Sequence, residues 1–147
     1  MQYRAVEILI VEDNEVDAFL SHDALIRSEI PLRLNFVSQC YEALNYIFKI
    51  GPFHQAATPD LILLDLKMDG MDGIEFLKTL QDHLTLKTIP IVIVSSSSHP
   101  SDIALTYQLN AIAYLAKPLL QQEIVPIIEN LHLFRPGPNN YKPLTNR

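Results

Sequence analysis

At 147 residues, with 48% hydrophobic and 19% charged positions, the chain has the size and composition of one globular domain, which excludes global disorder. A net charge of −6 disfavours nucleic acid or an anionic membrane as a partner. A single cysteine, Cys40, excludes an internal disulfide or a multi-cysteine zinc site and fits a reducing, cytoplasmic compartment; no signal peptide opens the chain and no run is long enough to span a bilayer.

The first element is the apolar run Ile8-Leu9-Ile10-Val11, which reads as a strand buried on both faces of a parallel sheet and ends in Glu12 and Asp13. A helix is expected from Asn14 to Glu29. Asn14 suits the N-cap, Glu15 and Asp17 suit the first turn, and Val16, Phe19, Leu20 and Ala24 recur at helical spacing. Leu32 to Phe36 alternates apolar and polar residues, the pattern of a half-exposed strand at a sheet edge. A second helix, Gln39 to Ile50, offers Cys40, Ala43, Leu44, Ile47 and Phe48 as its buried stripe and is closed by Gly51-Pro52, with a loop through Pro59.

The second unbroken run, Leu61-Ile62-Leu63-Leu64, ends in Asp65 and enters a loop holding Gly70 and Gly73. Asp72 and Glu75 have capping-box spacing and open a third helix, buried through Leu77, Leu80 and Leu84. Pro90 introduces a fourth strand, Ile91 to Val94, followed by Ser95 to Ser98. Pro100 suits the first turn of a helix running to about Asn110. The last strand is Ile112 to Leu115, with Lys117 and Pro118 beyond it, and the last helix buries Ile124, Ile127, Ile128 and Leu131.

Five strand–helix units in succession predict an α/β fold: a doubly wound, five-stranded parallel sheet with helices on both faces. Right-handed crossovers and an edge position for the second strand favour the order 2-1-3-4-5, as in flavodoxin-like folds. The first and third strands are then neighbours, and Glu12, Asp13 and Asp65 meet at the switch point where such sheets bind ligands. Crowded carboxylates call for a cation, and hard oxygen ligands favour Mg2+. Ser95 and Lys117 reach the same end of the sheet, a hydroxyl and an ammonium able to bind phosphoryl oxygens, with Asp65 as nucleophile toward phosphorus. From Arg135 the chain reads as a flexible tail, basic through Arg135, Lys142 and Arg147. Without it, 8 basic residues face 17 acidic ones, a net charge of about −9. The domain is placed at 1–134 and the tail at 135–147.

Val11-Glu12-Asp13, Leu64-Asp65 with Met68 and Asp72-Gly73, Pro90 to Ser95, and Tyr114 with Lys117-Pro118 together resemble the receiver domain of two-component signalling, the CheY-like family. The resemblance covers about residues 6 to 134. It implies a stand-alone bacterial response regulator: a signalling phosphoacceptor, catalysing only its own phosphoryl transfer. It makes Asp65 the phosphorylated residue, and Asp13, Asp65 and the Lys67 carbonyl ligands of Mg2+, with Glu12 reaching the metal through water. Ser95 becomes the switch hydroxyl, Tyr114 the aromatic that turns inward and Lys117 the phosphoryl-binding lysine, before a cis bond to Pro118. The implied partners are a sensor histidine kinase or phosphotransfer protein and a downstream protein target, with a homodimer through the last two helices and strand.

Several positions depart from the family pattern. Asp69 stands where proline is usual, Lys67 lies two residues after the phosphoacceptor, Ser95 replaces the commoner threonine, and Leu120 stands near a usual capping position. Pro126 falls inside the last helix, where a proline costs about 3 kcal/mol. The long loop from Gly51 to Pro59 resembles that of regulators associated with bacterial phytochromes. Two other readings compete: a receiver-fold interaction module that is never phosphorylated, and a metal-dependent phosphatase. The intact acids, hydroxyl and lysine oppose the first. Lys67, standing where such phosphatases carry a second acid, opposes the other. The five histidines, His22, His54, His83, His99 and His132, show no metal-ligand spacing.

Overall fold

A computed structural model describes residues 5–131. Five strands alternate with five α-helices: β1 (Val6–Val11), α1 (Glu15–Ile26), β2 (Leu32–Val37), α2 (Cys40–Phe48), β3 (Leu61–Leu64), α3 (Gly73–Gln81), β4 (Ile91–Ser95), α4 (Pro100–Gln108), β5 (Ala113–Ala116) and α5 (Gln121–Glu129). All four strand pairings are parallel, and the sheet runs β2-β1-β3-β4-β5. The fold is the doubly wound α/β sheet that the sequence predicts. Residues 135–147 of the expected tail, and His132, lie outside the described residues.

Period-two alternation divides the core into two layers. Leu9, Val11, Ile62, Leu64 and Ile93 face α2 and α3, where Ala43, Ile47, Phe76, Leu77 and Leu80 meet them. Ile8, Ile10, Leu61, Leu63, Val92 and Val94 face α1 and α5, against Leu25, Ile124 and Ile128. Both faces are covered, which explains why β1, β3 and β4 read as unbroken apolar runs. The strand β2 sits at the edge, and its mixed burial matches its alternating sequence. Of α4, only Thr106 is buried, so that helix lies lightly on the sheet.

The helix starts follow their expected chemistry. Asn14 Oδ1 accepts from the Asp17 amide at 2.9 Å, and Asp72 Oδ1 accepts from the Glu75 amide at 3.0 Å. Several details differ from the sequence reading: α1 ends at Ile26 rather than Glu29, and Ile127 of α5, expected inside, is half-buried. On α1 the apolar residues Val16, Phe19 and Leu20 face outward, while Ser21, Ala24 and Leu25 pack inside. In α2 the fourth inward residue is Tyr46; Leu44 is half-buried and Phe48 is exposed, because both lie a full residue's rotation off the stripe Cys40, Ala43, Tyr46, Ile47. That helix ends at Lys49, in the left-handed region with φ +59°, and Gly51–Phe53 forms a separate 3-10 turn. Leu84 lies beyond the end of α3 and is exposed.

The helix α5 continues through Pro126. Both Pro126 and Gln122, whose carbonyl loses its amide donor there, are exposed to water, which can satisfy the orphan group.

Candidate functional site

The sheet's hydrogen-bond ladder runs into the site itself. The Glu12 amide donates to the Val37 carbonyl at 3.0 Å, Asp65 to Val11 at 3.2 Å, and Lys117 to Ser95 at 3.0 Å. Glu12, Asp65 and Lys117 are thus each one residue past a strand end, held by the neighbouring strand, on one rim of the sheet. The peptide bond from Lys117 to Pro118 is cis, as the resemblance implies.

The loop after Asp65 is clamped from below by α3. The Gly73 amide donates to the Leu66 carbonyl at 3.1 Å, and a Cβ on Gly73 would lie 2.8 Å from the Asp65 carbonyl oxygen and 2.8 Å from Leu66 Cα. Only glycine lets the helix start approach this closely. Gly70, in the same loop, has φ +73° and open space around it. Asp69, at the usual proline position, is exposed.

The site centres on Lys117 Nζ, which donates to Glu12 Oε1 at 2.8 Å, Asp17 Oδ2 at 2.8 Å and Asp65 Oδ2 at 3.0 Å. Burial works to lower the pKa of this ammonium, but the hydrogen bonds it donates to Asp17, Glu12 and Asp65 outweigh it and hold the group charged, above its ordinary value. Burial pushes the Glu12 carboxyl up to about 7, against the opposing hydrogen bond from Lys117.

Glu12, Asp13 and Asp65 each present a ligand oxygen, all within 4.8 Å of one another. Counting Asp17, four carboxylates stand around one ammonium that bonds to three of them, and the surplus negative charge on hard oxygen donors fits a divalent cation. Lys67, the fourth expected ligand residue, adjoins this group: its amide donates to Asp65 Oδ1 at 3.3 Å. Its side chain points elsewhere, with Nζ 3.5 Å from Asp102 Oδ2 at the start of α4.

Ser95 ends β4 and is fully buried, its Oγ accepting from the Ser97 amide at 3.1 Å. Tyr114 sits half-buried against the layer under α2 and α3, and its hydroxyl donates to the Ser97 carbonyl at 2.9 Å. Serine and tyrosine therefore grip the same two-residue segment after β4. Ser97 Oγ in turn donates to Asp102 Oδ2 at 3.1 Å, so Asp102 joins that segment to Lys67.

Of the residues expected at the site, Glu12, Asp13, Asp65 and Lys117 gather on this rim and Lys67 adjoins it, whereas Ser95 at the end of β4 and Tyr114 within β5 are joined to each other through Ser97. Sequence reasoning missed Asp17 and Asp102. The signal for Asp17 was available, since it stands one helical turn beyond Asp13 and shares its end of the sheet. For Asp102 no signal was available, because its partners come from separate loops.

Comparison with known proteins places the chain in a wider family. The family model described as response regulator receiver domain matches residues 8–129. Response regulator Rcp1 of Synechocystis sp. is 29% identical over 127 residues, covering 86% of each chain. The crystal structure of the phosphorylated cyanobacterial phytochrome response regulator RcpA is 34% identical with a TM-score of 0.75, covering 89% of this chain and 94% of that one. The bacteriophytochrome response regulator RtBRR is 33% identical with a TM-score of 0.78, covering 95% and 86%. The Mn2+-bound form of Rcp1 is 28% identical with a TM-score of 0.73, covering 88% and 94%. No helix among the described residues is long and apolar enough to cross a membrane.

Proposed function

We infer that Asp65 is the residue on which this chain, a member of the response regulator receiver family and so a phosphoacceptor of two-component signalling, takes its phosphoryl group. The observation that carries the assignment is the contact of Lys117 Nζ with Asp65 Oδ2 at 3.0 Å, on a rim where Glu12 and Asp13 complete a cation-binding carboxylate set. An Asp65 oxygen attacks the phosphorus of a phosphohistidine; the P–O bond forms, the P–N bond breaks, and the bonding pair leaves with the imidazole nitrogen. Glu12, Asp13, Asp65 and the Lys67 carbonyl would hold Mg2+, which supplies charge neutralisation to the transferring group. Lys117 binds a phosphoryl oxygen as a point charge.

The phosphoryl group carries about −1.5 to −2 charge, and because the acyl bond consumes the Asp65 carboxylate's own charge, the rim gains a net of about −0.5 to −1. Ser95 Oγ turns from the Ser97 amide to a phosphoryl oxygen, and the segment after β4 follows it. Tyr114, already hydrogen-bonded to Ser97, travels with that segment, and the lightly held α4 transmits the change to a downstream protein. A shift from 1:99 to 99:1 requires phosphorylation to favour the active form by about 5.5 kcal/mol.

The upstream partner is a sensor histidine kinase, by likeness to the named phytochrome regulators one of phytochrome type. It docks on the outward apolar face of α1, where Val16 and Phe19 are 65% and 63% exposed beside the rim. Phosphoramidate with Mg2+ tests the assignment directly. Wild type acquires one phosphoryl group by intact mass, and Asp65→Ala acquires none. Equal labelling of the two ends the assignment.

A further inference from the structure

The contact between Lys117 and Asp17 has no place in the scheme above. Lys117 projects from the end of β5 and Asp17 from the first turn of α1, 100 residues apart in sequence, yet Nζ and Oδ2 lie 2.8 Å apart. Their side chains are 12% and 30% exposed, so this is a partly enclosed pair rather than a surface one. The helix start has Glu15 as well to complement its dipole, and Asn14 already caps it. Asp17 is not required for either task.

An ammonium has three N–H donors, and here all three are taken, by Glu12, Asp17 and Asp65. Glu12 and Asp65 belong to the set of carboxylates whose oxygens converge within 4.8 Å; Asp17 does not. Asp17 is therefore the one partner of Lys117 with no second claimant. It is also the only one of the three carried by a helix rather than a strand end. The lysine stem is four flexible carbons, and without a fixed anchor the ammonium would settle wholly between Glu12 and Asp65, on the charges the cation needs.

We propose that Asp17 is a positioning residue: it anchors the Lys117 ammonium on the α1 side of the site, so that phosphoryl arrival on Asp65 requires only one of three hydrogen bonds to change partner. The proposal rests on the assignment of Asp65. Phosphoryl transfer depends steeply on where its stabilising charge sits, and an ångström of misplacement can cost about a hundredfold in rate.

The full chain tests it with two readouts. In metal-free protein, the Lys117 ammonium is followed by proton–nitrogen NMR and identified by its disappearance in Lys117→Arg. The signal is expected in wild type and in Asp17→Asn, whose amide oxygen still accepts, and lost in Asp17→Ala through faster exchange with water. With phosphoramidate and Mg2+, Asp17→Ala is expected to label Asp65 about ten- to a hundredfold more slowly, and Asp17→Asn within about threefold of wild type. Should Asp17→Ala fail to fold, Asp17→Ser, too short to span to Nζ, carries the same expectations. An Asp17→Ala ammonium signal as sharp as wild type, or labelling at the wild-type rate, overturns the proposal. So does Asp17→Asn labelling as slowly as Asp17→Ala, since that would make the effect one of charge rather than anchoring. If wild type and Asp65→Ala label alike, the phosphoacceptor assignment has failed instead, and the ammonium signal alone decides the role of Asp17.

Discussion

Gly70 in the loop after Asp65 and Gly73 at the start of α3 lie three residues apart and are needed for different reasons, which a small set of substitutions separates. At Gly73 a Cβ would meet the Asp65 carbonyl oxygen and Leu66 Cα, both at 2.8 Å, and Leu66 Cδ2 at 3.0 Å. Two of these atoms are backbone, fixed by the ladder contact of the Asp65 amide and by the Gly73–Leu66 hydrogen bond. Relief must come from moving the start of α3 or the phosphoacceptor loop. Overpacking of this kind costs about 1–3 kcal/mol, against a gain from alanine's helix propensity of at most about 1 kcal/mol. Since 1 kcal/mol shifts the melting temperature of a domain this size by about 2–4 °C, Gly73→Ala should melt several degrees below wild type, by about 4–8 °C for a net 2 kcal/mol. At Gly70 nothing crowds the missing side chain; φ +73° alone penalises alanine, by about 1–2 kcal/mol, and asparagine, which visits that region readily, recovers most of it. Thermal unfolding followed by circular dichroism reads all four variants. Asparagine should rescue position 70 and not position 73, and Gly73→Ala should also label more slowly with phosphoramidate because Asp65 has moved. A Gly73→Ala protein as stable as wild type, or rescued by asparagine, would refute the crowding argument.

Two further outcomes follow from the same geometry. Lys117→Met leaves Glu12, Asp17 and Asp65 without their counter-ion. Breaking such a pairing costs about 3–5 kcal/mol, here toward the lower end because Glu12 protonates readily, and urea unfolding near neutral pH reads it. Magnesium at ten times its dissociation constant should restore about 1.4 kcal/mol to that variant, and an unchanged midpoint without magnesium would contradict the ion-pair account. Cys40 is buried, and burial first, then the charges of Asp72, Asp65, Asp13 and Glu75, push its thiol from 9.0 up to about 12. A thiol-specific disulfide reagent at pH 8 should react only as fast as the chain unfolds. The folded chain keeps a proton that the unfolded chain releases, so this thiol's contribution to stability is flat below about pH 9 and declines as pH rises toward about 12. Rapid labelling of folded protein would contradict the burial.

The strands and the acids that end them were legible because two signals coincide there: an unbroken apolar run and an abrupt change to carboxylate. Capping at Asn14 and Asp72 was equally local and equally readable. The inward face of α1 was not. That helix carries apolar residues on both sides, and periodicity cannot tell which side the sheet takes. The small residues Ser21 and Ala24 allow close approach, and the larger Val16, Phe19 and Leu20 are left outside. Tyr46 and Phe48 lie two residues apart, on opposite sides of α2, and which of them the stripe takes is decided only by the packed sheet. Lys67 was read for its carbonyl, but its ammonium's reach to Asp102 depends on how two loops lie side by side, and no stretch of sequence encodes that.

The backbone bonds that tie Glu12 to Val37, Asp65 to Val11 and Lys117 to Ser95 make the rim part of the sheet rather than an attachment to it. Fraying one corner of such a rim means tearing a rung from the most deeply seated portion of the molecule, so these amides should surrender their protons to heavy water only when everything else does. The short stretch beyond Ser95 lies past the last rung of β4, held by a serine at its amide and a tyrosine at its carbonyl. On the proposed reading, the rim is an anvil that keeps its charges in register, and that stretch is the tongue by which a message leaves the site.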